Sequence, residues 1–174
     1  MQFFLLAPLF LVAMFPIAQP QSEWREFTSK EGRFSASMPG NAATSMVATN
    51  TAKGTLLTYI TSTNDKDLNE YLVSWTEYSQ NSIEQRATEK TFDRMRDALV
   101  RTKSGTVLSE SAVNFQNYPA RLVTFSLPND RLVKVRFCFV KNRVYQILAE
   151  TRKEDAGAAE KFLDSFTLLP GWPI

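Results

Sequence analysis

Between Arg121 and Ala149, apolar side chains fall on every second residue, and short polar turns separate the runs that carry them. Arg121, Val123, Phe125 and Leu127 share one face of a strand, with Leu122, Thr124 and Ser126 on the other. Pro128-Asn129-Asp130 then turns the chain, and Val133, Val135, Phe137 and Phe139 share the next face, opposite Lys134, Arg136 and Cys138. A two-residue period belongs to a strand. Only antiparallel neighbours can be joined by so short a turn. The chain must therefore build an antiparallel meander, which restricts it to folds that pack a sheet against something else. For the last hairpin, a three-residue loop at Lys141-Asn142-Arg143 sets Phe139 against Tyr145, Phe137 against Ile147 and Val135 against Ala149. It also opposes Lys134 to Glu150. A two-residue loop at Lys141-Asn142 would face Phe137 with Gln146, so the three-residue register is expected.

Upstream, Phe34, Ala36 and Met38 alternate with Ser35 and Ser37, which reads as a half-buried strand ended by Pro39-Gly40. Asn41 to Lys53 reads as a loop or weak strand, and Thr55 to Thr61 as a second strand. From Asn64-Asp65, with Asp65-Lys66-Asp67 as the start of a helix, Leu68, Tyr71, Leu72, Trp75 and Tyr78 or Ser79 fall at three- and four-residue steps. A second helix is expected from Ser82 to Arg101. Its apolar set is Ile83, Ala87, Met95, Leu99 and Val100, and its solvated face carries Glu84, Arg86, Glu89, Lys90, Asp93, Arg94, Arg96 and Asp97. Gly105 stands just past its end. Thr106 to Phe115 reads as a strand and Gln116-Asn117-Tyr118-Pro119 as a turn. Asp155 is placed to cap a short helix, Ala156 to Ser165, with Ala159, Phe162 and Leu163 inward, and Phe166-Thr167-Leu168 closes the chain. The expected class is α+β: an antiparallel sheet of about six strands with helices packed against it.

Phe3 to Ala18 holds no charged side chain. The run is short for a membrane span and suits the apolar core of a signal peptide. Residues 1–18 are therefore expected to be a signal peptide or, if uncleaved, an N-terminal anchor. Residues 22–169 then form a single exported domain, in periplasm, lumen or medium. Any membrane contact would run through the N-terminal segment alone. The one cysteine, Cys138, excludes an intrachain disulfide and reads as a small strand residue. The chain has no histidine, which removes Ser-His-Asp and Cys-His catalysis and histidine-based zinc sites. Its glycines are scattered, so no phosphate-cradling loop is present, and no acidic calcium loop appears. A net charge of +2 does not call for a nucleic-acid partner.

Trp24-x-x-Phe27-x-Ser29-x-Glu31-Gly32-x-Phe34-Ser35-x-Ser37-Met38-Pro39-Gly40 resembles the opening of the PsbP-like superfamily and its uncharacterised bacterial exported relatives. Asn117-Tyr118-Pro119-Ala120-Arg121, Asn142-Arg143-Val144-Tyr145-Gln146-Ile147 and Ala159-Glu160-Lys161-Phe162-Leu163-Asp164-Ser165-Phe166 resemble the same group. The resemblance implies a sheet flanked by helices in an exported or lumenal protein, and binding or assembly modules such as the extrinsic subunit of photosystem II rather than enzymes. It implies turn roles for Gly32 and Gly40, packing roles for Phe34, Tyr145, Phe162 and Phe166, and no catalytic residue, cofactor or metal.

Two functions are therefore expected. The first is a non-catalytic extracytoplasmic binding or assembly module with an unidentified protein partner. Its candidate contact residues are Lys134, Arg136, Lys141 and Arg143 on the basic outer face, with Arg131, Arg152 and Lys153 near them. The alternative is a carrier of a small apolar ligand or lipid, with Tyr59, Tyr71, Trp75 and Tyr78 lining a helix–sheet pocket.

Overall fold

The meander lies at the middle of a larger sheet. The computed structural model describes residues 23–51, 54–78 and 89–171. In chain order the strands and helices are β1 (Trp24–Ser29), β2 (Phe34–Pro39), β3 (Ala43–Thr51), β4 (Gly54–Asn64), β5 (Glu70–Glu77), α1 (Glu89–Thr102), β6 (Thr106–Phe115), β7 (Tyr118–Leu127), β8 (Arg131–Val140), β9 (Arg143–Arg152), a 3-10 turn (Lys153–Asp155), α2 (Ala156–Ser165) and β10 (Thr167–Leu168). Seven strands pair in the order β3-β4-β5-β9-β8-β7-β6, and β1-β2-β10 make a separate three-stranded sheet. All neighbours are antiparallel. The α+β class stands, with more strands and less helix than expected. The expected signal segment, and the part of the expected second helix that precedes Glu89, lie outside the described residues.

The helix expected from Asp65 is β5. Tyr71, Val73 and Trp75 point to one face and are buried, while Leu72 packs on the other. An apolar residue on the second, half-buried face of a strand gives the chain helical spacing as readily as period two. Its Tyr, Val, Trp and Thr content favours the extended form. Asp65 does not start a helix: its Oδ1 accepts the Asp67 and Asn69 amides at 2.9 and 3.0 Å and so closes the β4–β5 loop. The segment read as a loop or weak strand is β3, and the turn after β6 is only Gln116-Asn117, both at positive φ, with Tyr118 already paired to Phe115.

The β8–β9 hairpin takes the two-residue loop, pairing Val140 with Arg143 and facing Phe137 with Gln146. Lys141 holds φ 52 in that tight turn. Matching apolar partners could not decide the register, because both faces of this hairpin are covered. Phe137, Phe139, Val135 and Leu148 pack under α1, whereas Cys138, Tyr145, Ile147 and Ala149 pack under α2 and the small sheet. The expected Lys134–Glu150 pair does not form. Lys134 pairs with Glu160 on α2, and Glu150 accepts from Arg131 at 2.8 Å and Lys103 at 2.5 Å on the other side.

The molecule is thus layered as α1, large sheet, then α2 with the small sheet. Ala159, Phe162 and Leu163 bury α2 as its period requires. Asp155 precedes α2 but makes no side-chain cap; its carboxylate takes Asn69 and Arg152 instead. Phe92 anchors α1, edge-on to Phe139 at 5.0 Å and beneath Arg121. The α1 face read as solvated is partly engaged. Arg121, only 7 % exposed at its side chain, pairs with Glu89, Asp93 and Glu110, and Arg96 also pairs with Glu110. Helix α1 ends in a Schellman motif: Gly105 N bonds Val100 O at 2.8 Å and Ser104 N bonds Arg101 O at 3.2 Å. Ser104, at φ 54, is the left-handed residue there. Gly105 is required for space, since a Cβ would stand 2.4 Å from the Phe125 ring.

Gly32 lies in the β1–β2 turn as expected, but it is needed for close approach, since the positive φ there falls on Arg33. A Cβ on Gly32 would fall 2.6 Å from the Phe34 ring and 2.7 Å from the Trp75 indole nitrogen, and its carbonyl accepts the buried Tyr145 hydroxyl at 2.8 Å. Gly32→Ala should lower stability by about 1–3 kcal/mol through overpacking, measured as a shifted urea midpoint. A pH test follows from Glu150. Burial would raise its carboxyl, but hydrogen bonds and charge from Lys103 and Arg131 outweigh that and hold it below the ordinary value. Its contribution is therefore present above the unfolded pKa of about 4.3 and is lost as pH falls through the lower folded value. Glu150→Gln should cost roughly 1–2 kcal/mol at neutral pH. The gap to wild type should close as pH drops below about 4; an unchanging gap would contradict the charge-based account.

Candidate functional site

Three of the four basic residues singled out from sequence face inward, onto the layer that covers the sheet. Arg136 Nη1 donates to the Leu163 carbonyl in the last turn of α2 at 2.7 Å, its Nη2 reaches Asp164 at 3.4 Å, and its guanidinium lies over the Phe115 ring. Lys134 pairs with Glu160 on the same helix. Arg143 donates twice to Glu77 Oε2, at 2.9 and 3.1 Å, and to the Glu31 carbonyl at 2.6 Å, and stacks 4.3 Å from the Trp75 ring centre. Lys141 is exposed at the hairpin tip. Lys134 and Arg136 sit together, while Arg143 opposes Val140, four residues beyond Arg136 and six beyond Lys134 along β8, or ~13–20 Å at strand spacing. Arg131, Arg152 and Lys153 are also paired, with Glu150, with Asp67, Glu154 and Asp155, and with Asp130.

Three of the four aromatic residues assigned to a carrier pocket are packed against other rings. Tyr59 stacks on Trp75 at 4.2 Å, Tyr71 meets Trp24 and Phe162 edge-on, and Tyr78 lies just past β5. A cleft of about 430 Å³ opens elsewhere, between the start of β1, the β4–β5 loop and α2, lined by Glu23, Trp24, Pro39, Asp65, Lys66, Asp67 and Lys161. Lys161 Nζ lies 4.3 Å over the Trp24 ring. Beneath it, buried Asn69 donates to Asp65 and Asp155 at 2.9 and 3.0 Å and accepts the Arg152 amide at 3.0 Å. The Asn69 hydrogen bond, then Arg152, hold the Asp155 carboxyl below its ordinary value against some burial. This network joins the β4–β5 loop to the 3-10 turn.

Reactive chemistry is poorly served by these groups. Burial pushes the Cys138 thiol up to about 12 despite Arg136 nearby, so it stays protonated. Burial likewise pushes the Tyr145 phenol up to about 12. Among the described residues, no three His, Cys, Asp or Glu side chains gather where they could hold a metal ion. No described helix is long and apolar enough to cross a membrane.

The feature that sequence reasoning passed over is an edge. From Gly40 to Asn64 the only charged residue is Lys53. Within it β3, sequence ATSMVATNT, pairs among the described residues with β4 alone, without a bulge, and is exposed along its whole length. Met46 and Val47 at its middle are 55 % and 48 % exposed, with Leu57 opposite Ala48 also exposed. Met46 ends a cross-strand row through Tyr59, Trp75, Tyr145 and Cys138, so an apolar line runs from the core to this rim. The other edges are blunted in ways proteins use to prevent strand addition. β6 carries a bulge at Val107/Ser109 and the charge of Glu110; β1 carries Arg25 and Glu26; β10 has two residues. The charge-free run was visible in the sequence. That it forms a rim strand was not.

No protein-family model matches the chain, and no curated protein is significantly similar to it. Among solved structures it is similar to cyanobacterial PsbP (CyanoP) from Synechocystis sp. PCC 6803, with a TM-score of 0.56 and 8 % identity, covering 84 % of this chain and 93 % of that one. The fold is therefore PsbP-like. A protein of unknown function, PA94 from Pseudomonas aeruginosa, aligns over 86 % of this chain and 99 % of its own at 11 % identity, but its TM-score of 0.39 is too low to support an argument.

The assignment of Arg136 to structure is testable. Arg136→Ala removes a charged hydrogen bond to the end of α2 and should lower stability by about 1–3 kcal/mol. An unchanged thermal midpoint would return Arg136 to the pool of surface contact residues.

Proposed function

We propose that this chain is a non-catalytic binding module acting outside the cytoplasm, and that its contact surface is the β3 edge. The observation that carries the proposal is the uncharged, unbulged nine-residue rim strand with Met46 and Val47 exposed at its centre. Such an edge offers a row of main-chain donors and acceptors to another strand, and pockets between alternate side chains supply selectivity. The basic residues Lys134, Arg136 and Arg143 support the same reading indirectly. They are paired across the layers, so partner recognition falls to a neutral surface. A location outside the cytoplasm is supported by the charge-free N-terminal run and by the PsbP-like fold. The carrier alternative loses support, because Tyr59 and Trp75 stack on each other and Tyr71 packs on Trp24 and Phe162.

The test is retention on the immobilised exported protein, wild type against Val47→Lys, with native extracytoplasmic extract. A charge on a rim strand opposes strand addition without touching the core. A protein held by wild type should be retained at least about tenfold less by Val47→Lys, with both thermal midpoints equal. Equal retention by the two proteins, or elution of a lipid or small molecule alone, would overturn the proposal.

A further inference from the structure

We infer that β3 pairs antiparallel with β3 of a second copy of this chain, joining two seven-stranded sheets into one. The inference rests on the reading of the β3 edge as the contact surface, and it names the occupant.

The strand is complementary to itself. It runs from Ala43 to Thr51, and Val47 is its midpoint. A two-fold axis through Val47 overlaps the whole strand: Val47 faces Val47 of the second copy, Met46 faces Ala48, Ser45 faces Thr49, Thr44 faces Asn50 and Ala43 faces Thr51. In this register each residue meets one of the same parity. The alternate residues that turn their N–H and C=O groups away from β4 therefore meet one another, giving about eight to ten main-chain hydrogen bonds. No pair opposes like charges, because β3 carries none. The large apolar residues of the strand, Met46 and Val47, are exposed and come to the centre, where burial on association is greatest. The apolar row that reaches the rim at Met46 continues across the axis to Ala48 of the second copy.

Closure favours a copy over an unrelated strand. A two-fold contact is isologous and uses both β3 edges at once, leaving only the bulged, Glu110-bearing β6 edges at the ends of the joined sheet. A charged peptide would gain no electrostatic complementarity from a strand that carries no charge, whereas a neutral copy matches. One strand pair is a small interface, so a reversible dimer with a dissociation constant of about 1–100 μM is expected.

Sedimentation equilibrium of the exported protein reads this directly. Wild type should be a monomer–dimer mixture in that range. Val47→Lys should weaken association at least about tenfold, and Val107→Lys on β6 should leave it unchanged. Geometry provides a check that does not depend on affinity. Val47→Cys places two thiols opposite each other within the 4.4–6.8 Å Cα range of a disulfide and should form a covalent dimer on mild oxidation. Ser45→Cys faces Thr49 instead and should not, and buried Cys138 does not compete.

A wild-type protein that stays monomeric to about 1 mM, or a Val47→Cys protein that fails to crosslink, overturns the self-pairing. Amide exchange on the same monomer then separates the two readings. Fast exchange at alternate β3 amides leaves an open edge for another partner. Protection there means the edge is already covered, and the contact-surface proposal fails as well.

Discussion

Tyr145 and Phe137 stand on neighbouring central strands, point to opposite faces of the sheet, and are both 0 % exposed. Burial on both sides of β8 and β9 dictates the rest of the architecture, because each face needs a cover of its own. On one face the cover is α1, held by Phe92 with Met95, Leu99 and Val100. On the other it is α2 with the small sheet, held by Phe162, Phe166, Phe34 and Met38. The crossing from β5 to β6, at opposite sides of the hairpin, sends the chain over the first face, which places α1 where it is needed.

Cations fasten these covers at their margins. Arg136 and Lys134 hold α2, and Arg143 ties the β1–β2 turn to the sheet through the Glu31 carbonyl. Lys103 closes α1 between Glu70 and Glu150, two carboxylates set directly opposite each other on β5 and β9. Arg121, stacked on the Phe92 ring, does the same, and removing its carboxylate partners would strand a buried charge. Side chains that would make a basic patch in an open strand are therefore fixed by the layer above it. A long polar head on a β-strand that is covered on both faces has few other places to go.

The same logic explains why the rim matters. Charges and irregularities sit at β1 and β6, while β3 is regular and neutral. A protein that needed only to avoid association would be expected to treat this nine-residue edge no less carefully than its shortest. The PsbP-like fold supplies the scaffold and does not by itself say what is bound.

Much of the fold was legible in the sequence. The strands at Phe34, Thr55, Thr106, Arg121, Arg131 and Arg143, and α2 with its inward Ala159, Phe162 and Leu163, follow from local periodicity and turn residues. Three features did not. β5 reads equally as helix or strand because Leu72 on its half-buried face breaks the alternation of Tyr71, Val73 and Trp75; the β8–β9 register could not be chosen by pairing apolar residues because both faces hold them; and Phe92 was overlooked as the anchor of α1. The candidate site divided in the same way. The identity of Lys134, Arg136 and Arg143 and the neutrality of residues 40–64 are written in the chain. Whether a charge faces solvent or a helix terminus, and whether a neutral strand lies at the centre or the rim of a sheet, depends on which distant segments pack beside it. Local sequence determines what each strand is; only tertiary packing decides what each strand meets.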